Sequence, residues 1–259
     1  PPPEFMFGPD HPAIYGLFVF DVTEPSQIVP VGELLIPDLA GMAHVEPYLF
    51  TLSYLGELLV IDVSDRSAPE VVATMSGLES PWEIQVVGDL AYVADTKLGL
   101  VVLDLGDPLA PQILTVMPTA SGLQDVAHDE GVVYGAAGAA GVEIFSVAND
   151  PTMPICIASV HTGPSAVGVA ADEGFLWVTN HEGVVVYDVS EPSAPAPWGV
   201  EATDGWALHV VAHGEAAYIA DWEYIHRMEV SRDIQAPETD MHPEALYFWD
   251  QQATREFHI

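Results

Sequence analysis

The chain is 259 residues long and carries 39 Asp and Glu against 5 Lys and Arg, a formal net charge of −34. That balance excludes nucleic acid and an anionic membrane surface as natural partners, because both are held through basic side chains. With 49% hydrophobic residues the chain can build a sizeable core, but it holds no uncharged apolar run of about 18 residues that would insert in a bilayer, and its one cysteine, Cys156, excludes an internal disulfide.

The opening PPPEFMFGPD has no basic segment ahead of an apolar one, so an export signal is expected to be absent or already removed. A repeating segment then begins. It reads GLFVFDVTEPSQIVPV from Gly16, GELLVIDVSDRSAPEVV from Gly56, LGLVVLDLGDPLAPQIL from Leu98, GVEIFSVANDPTMPICI from Gly141, GVVVYDVSEPSAPAPWG from Gly183 and, more weakly, YIHRMEVSRDIQAPET from Tyr224. The aligned residues Asp21, Asp62, Asp104, Ser146, Asp188 and Glu229 are 41, 42, 42, 42 and 41 apart.

A second element lies between successive copies: MAHVEPYLFTLS, EIQVVGDLAYVAD, DVAHDEGVVYGAA, GVAADEGFLWVTN and HVVAHGEAAYIAD. Its aligned aromatics are Phe50, Tyr92, Tyr134, Trp177 and Tyr218. β-Branched and aromatic residues alternate, with Gly, Pro, Asp or Asn at the breaks, and no segment keeps a 3.6-residue apolar period. Each period therefore reads as four short strands: an inner strand a, the aromatic strand b, the Val-rich strand c, and strand d after the proline.

A repeated four-stranded unit of about 40 residues is the signature of a propeller blade. The period predicts an all-β, six-bladed β-propeller of antiparallel blades, a single domain over 1–259. Each blade is a twisted sheet with two apolar faces, so the ring must close to cover them. Ala245–Asp250 is expected to supply the inner strand of the blade that carries Leu17–Val22. Either Arg255–Ile259 or Phe5–Phe7 would add its second strand.

The strand-c cores GELLVIDVSD, GLVVLDLGDP and GVVVYDVSEP resemble the LVIVD repeats of bacterial and archaeal surface or exported propellers, from about Gly16 to Pro237. The resemblance implies an extracytoplasmic protein with a recognition or scaffolding task, and it brings no defined catalytic set. The repeat Asp and the proline after it read as turn-builders, the carboxylate accepting backbone N–H groups between strands c and d. Ser146 and Glu229 depart from that pattern.

Ligand sites in propellers lie where the d–a and b–c loops converge, at one mouth of the channel. Nine residues before each aligned aromatic stand Gly41, Glu83, Asp125, Gly168 and His209. Glu83, Asp125 and His209 could hold a divalent cation, Ca²⁺ or, in an enzyme, Zn²⁺ or Mn²⁺, or could simply line a wet channel. Loops on the same expected face add Trp82, Asp95, His161, His181, Trp206, Asp221 and Trp222. That combination suits a sugar, an aromatic or a cationic ligand; alternatively Trp82 and Trp206 cap the core. No G-x-S-x-G occurs, GAAGAAG (Gly135–Gly141) has no helix after it, and Cys156 is expected to be a buried, inert thiol.

The acidity suits either an exported protein among free cations such as calcium or the cytoplasm of a halophile. Two functions compete. One is an exported or surface-displayed binding scaffold with a protein or carbohydrate ligand and no resident cofactor. The other is a metal-assisted hydrolase or lyase at Glu83, Asp125 and His209.

Overall fold

The computed structural model describes residues 16–230, and every regular element among them is a β-strand. The strands expected at Phe5–Phe7, near Pro237, at Ala245–Asp250 and at Arg255–Ile259 lie outside the described residues. Contacts divide the chain into two compact units, Pro1–Met117 and Pro118–Ile259.

In the first unit, β1 (Leu17–Asp21) and β2 (Val29–Leu34) form a two-stranded sheet. The strands β3 (Leu39–Val45), β4 (Tyr48–Ser53), β5 (Glu57–Asp62) and β6 (Glu70–Ser76) make a four-stranded antiparallel sheet in chain order. So do β7 (Pro81–Val87), β8 (Leu90–Asp95), β9 (Gly99–Asp104) and β10 (Gln112–Met117).

The second unit repeats the plan. One sheet holds β11 (Asp125–Asp129), β12 (Val132–Ala136), β13 (Val142–Ser146) and β14 (Ile155–Val160). The next holds β15 (Gly168–Asp172), β16 (Phe175–Thr179), β17 (Gly183–Asp188) and β18 (Ala196–Ala202). Then come β19 (His209–His213), β20 (Ala216–Ala220) and β21 (Ile225–Glu229) as three strands. The order a, b, c, d expected from the repeat is the order found, and the aligned residues Asp21, Asp62, Asp104, Ser146, Asp188 and Glu229 each end their strand c.

The c–d turns recur in detail. The Oδ1 atoms of Asp21, Asp62, Asp104 and Asp188 accept the backbone N–H two residues on, at 2.8–2.9 Å. An i to i+3 backbone bond follows in five copies, as from Ala68 N–H to the Asp65 carbonyl at 3.0 Å. Both features set the chain reversal locally, which is why the Asp and proline signals survive in otherwise different copies. At the start of strand c, glycine is required by space: a Cβ on Gly141 (φ 86°) would stand 2.1 Å from the Val160 carbonyl oxygen of strand d.

Each c–d pair also carries one irregularity of register. Val31, Val72, Leu114, Ile157 and Trp198 are the extra residues on the d side, so each of the five described outer strands has a β-bulge at the same place. The core lies between faces of successive sheets within a unit. Phe50, Leu52, Leu58 and Val60 meet Ile84, Val93, Val101 and Leu103 in the first unit. In the second, Tyr134 and Ile144 meet Val169, Leu176 and Val178, and Trp177 and Val186 meet Val210 and Ile219.

Four of the five aligned aromatics are buried; Tyr218 is the exception at 46% exposure. Cys156 also differs from its sequence reading. It is exposed, because strand d is the outermost of its sheet.

Candidate functional site

The five residues aligned ahead of the aromatics sit at or near the start of inner strands, and within each unit they are neighbours. In the first unit, a Cβ on Gly41 would stand 2.5 Å from the Trp82 carbonyl oxygen and 2.7 Å from Glu83 Cα. Glu83 Oε1 accepts the Ile84 N–H at 3.0 Å. In the second unit, Asp125 is 4% exposed. Its Oδ1 accepts from Val126 N–H at 2.7 Å and its Oδ2 from Val169 N–H at 2.8 Å, so it joins its own inner strand to the next.

Gly168 makes room for these approaches. A Cβ there would lie 2.6 Å from Thr179 Oγ1 and 3.3 Å from His209 Cα. His209, half exposed, brings Nδ1 to 3.6 Å from Asp125 Oδ2. Asp125 and His209 are thus brought together, while Glu83 belongs to the other unit. Among the described residues no group of three or more His, Cys, Asp or Glu is arranged to hold a metal ion.

A second polar position recurs at the end of strand b. Asp95 is fully buried and accepts four backbone N–H groups, those of Glu79, Ser80, Lys97 and Leu98, at 2.8–3.0 Å. It therefore clasps the d–a loop to the b–c turn. Asn180 does the same with one amide, Nδ2 donating to the Thr162 carbonyl and Oδ1 accepting from Glu182 N–H. Where the copy carries Ala137 instead, Glu143 reaches across from strand c to accept the Ala120 N–H.

Asp221 is the most elaborate of these clasps. Its carboxylate accepts from Gly205 N–H, Glu223 N–H and Tyr224 N–H and lies 2.7 Å from His226 Nε2. Burial pushes its pKa up, but the bonds from His226, Tyr224, Glu223 and Gly205 outweigh that and hold it at about 2. The same d–a loop is tied on its other side by Thr203 N–H to the Glu182 carbonyl, and internally by Thr203 Oγ1 to the Gly205 carbonyl.

These bonds fix three neighbouring aromatic residues. Glu182 is preceded by His181, Gly205 is followed by Trp206, and Asp221 is followed by Trp222. His181 stacks on Trp206 with ring centroids 5.2 Å apart at 29°, and Trp206 meets Trp222 edge-on at 6.3 Å and 68°. Trp206 is 61% exposed and Trp222 57%. Ala207, the next residue, is buried in the core of this unit. In the first unit Trp82 is also partly exposed and meets Tyr54 edge-on at 5.6 Å. His161 is exposed on the loop after β14, where its carbonyl accepts the Tyr187 hydroxyl at 3.1 Å.

Of the ten residues marked in the sequence, the second unit gathers His181, Trp206, Asp221 and Trp222 in one cluster and Asp125 with His209 in another. Asp95, Trp82 and Glu83 stand in the first unit. Tyr54, Tyr224, His226 and Glu143 were not foreseen. The first three lie in or just after b–c turns, whose length varies between copies and blurs their alignment. Glu143 shows itself only as an acid within an apolar strand c.

The LVIVD repeat model matches residues 48–76, 80–117 and 163–200. These stretches hold β4–β6, β7–β10, and β15–β17 with most of β18. Among solved structures the fold is similar to a functionally unknown protein from Desulfotomaculum acetoxidans DSM 771, at 12% identity and TM-score 0.66 over 78% of this chain and 69% of that one. It is similar to a chain of a nidogen/laminin complex, at 16% identity and TM-score 0.60 over 80% and 81%. It is similar also to the Pan2 WD40 domain of Neurospora crassa, at 17% identity and TM-score 0.58 over 77% and 65%. No curated protein matches in sequence.

Proposed function

Starting from a chain that carries LVIVD repeats on a β-propeller scaffold, we propose a non-enzymatic recognition protein. Its six blades close into one ring, it is exported or displayed at a cell surface, and it binds its ligand at the end where the b–c and d–a loops meet. The observation that carries this reading is the cluster of His181, Trp206 and Trp222, two of them more than half exposed and all fixed by backbone hydrogen bonds. Rigid, exposed aromatic side chains are what recognition surfaces use as anchors. The buried carboxylates support the same reading, because Asp95 in the first unit and Asp125 and Asp221 in the second already accept backbone N–H groups. The LVIVD repeats and the acidity favour export.

The test is a mixed array of glycans and peptides probed with the wild type and with the Trp206→Ala/Trp222→Ala double variant. Signals present for the first and absent for the second are expected. The same signals from both would overturn recognition at this loop end.

A second reading, a metal-assisted hydrolase or lyase, has the 3.6 Å approach of His209 to Asp125 in its favour. It requires stoichiometric Zn or Mn in the purified protein, lost on His209→Ala, which elemental analysis reads directly. A preparation free of metal beyond loosely held calcium would exclude it.

A further inference from the structure

The chemistry of the loop cluster narrows the ligand class. We infer that His181, Trp206 and Trp222, with the carboxylates of Glu182, Asp204 and Glu223, form a receptor for an arginine-bearing segment of a partner protein. The inference rests on the reading that this loop end is the recognition face.

Three observations carry it. First, two polar side chains that a sugar could use, Asp221 and Thr203, are engaged inside the loops. Asp221 has four donors around it, and Thr203 Oγ1 donates to the Gly205 carbonyl. Each aromatic has an exposed carboxylate close by in sequence: Glu182 beside His181, Asp204 two residues before Trp206, and Glu223 beside Trp222. An ionised carboxylate accepts hydrogen bonds and cannot donate them, so its natural partner is a cationic donor.

Second, the indoles offer π-faces and edges to solvent, and a cation over an indole is favoured further where negative charge surrounds it. Among basic side chains the guanidinium fits best. It is planar, stacks on tryptophan and presents five donors in a fixed fork to carboxylates, whereas an ammonium is a compact and strongly hydrated point charge. Third, these loops carry no lysine or arginine of their own. Arg227, the nearest in sequence, is paired with Glu229 on β21. The charge beside the aromatics is therefore left for a partner to neutralise, in a chain whose net charge of −34 draws basic segments toward it from a distance.

The test is a titration of the full chain, followed by calorimetry and by tryptophan fluorescence in about 0.15 M salt, where long-range attraction is screened beyond ~8 Å. The probe is a blocked octapeptide alternating glycine and arginine, and its counterpart has citrulline at each arginine, which keeps the shape and removes the charge. The wild type is expected to bind the arginine peptide and not the citrulline one. Trp206→Ala is expected to weaken binding about tenfold or more, as a lost desolvated cation–π contact would. The triple variant Glu182→Gln/Asp204→Asn/Glu223→Gln is expected to weaken it comparably.

A triple variant of equal charge change in the a–b turns of the same unit, Glu130→Gln/Glu173→Gln/Glu215→Gln, at the opposite strand ends from the b–c and d–a loops, is expected to weaken it less than about threefold, since exposed and distant charges contribute little. Binding that ignores the loop variants and follows net charge alone would overturn the inference. So would equal binding of the citrulline peptide, or no binding of either. In each of those cases the array decides separately whether the loop end recognises another ligand, so the two readings fail independently.

Discussion

Asp95 and Asp221 illustrate how much a single carboxylate can organise. Asp95 ends β8 and Asp221 directly follows β20, and each joins a d–a loop to a b–c turn by accepting backbone N–H groups from both. Replacing Asp95 by Ala leaves four such donors facing a buried space. We expect a loss of about 2–4 kcal/mol in urea unfolding, the usual cost of orphaned buried groups around a removed charge. Asp221→Asn carries a pH signature as well. The folded-state pKa of Asp221 lies at about 2, below its ordinary 3.8. Its ionised form therefore contributes stability above pH 3.8 that is lost as the pH falls through that value toward about 2. The unfolding midpoints of wild type and variant should differ at neutral pH and draw together across that acid window.

The clasp was legible in principle, because AYVAD and AYIAD put an acid at the same place in two copies. A polar residue that recurs with the repeat is serving the repeat first. The turn role of Asp21, Asp62, Asp104 and Asp188 followed from the same logic, and it was the easier inference because its partner lies only two residues away. The partners of Asp95 and Asp221 lie up to 16 residues off, beyond what local spacing reveals.

At the level of strands and sheets, periodicity carried nearly everything. Alternation and turn residues are local, so the order a, b, c, d and the last residue of every strand c could be read directly. What depends on neighbours could not. Tyr218 aligns with four buried aromatics yet is exposed, and Cys156 sits in an apolar run yet lies on an outermost strand. Burial belongs to the face a strand presents, and sequence alternation does not say whether a second sheet covers that face.

The a–b turns of the second unit yield a prediction at this scale. Burial, then the Glu130 and Asp172 carboxylates, raise the pKa of Asp129 above its ordinary value. Its charged form therefore costs stability at neutral pH. Asp129→Asn should raise the melting temperature by roughly 1–3 °C in low salt, the size expected for relief of a like-charge contact. As the pH falls from neutral through the raised pKa toward 3.8, the wild type gains what the variant already has. Thermal scans of the pair should therefore converge on acidification, and a constant gap would refute the assignment.

For the chain as a whole the dominant fact is charge. Five cations can pair with few of 39 acids, and the remainder repel one another over a distance that salt shortens to about 8–10 Å at 0.1–0.15 M. The melting temperature should therefore rise with added NaCl or Ca²⁺, and a midpoint unchanged from zero to molar salt would show that the acids are already neutralised some other way.

The same scarcity of cations bears on a hazard common to repeated sheets. An outermost strand offers free backbone N–H and C=O groups to any other molecule that arrives edge-on, and proteins commonly blunt such rims with lysine. With one lysine in the chain that device is scarcely available. The extra residues Val31, Val72, Leu114, Ile157 and Trp198 supply another. Each breaks the even spacing of its rim and twists it, so that two such molecules brought side by side find no straight seam along which to zip into a fibre.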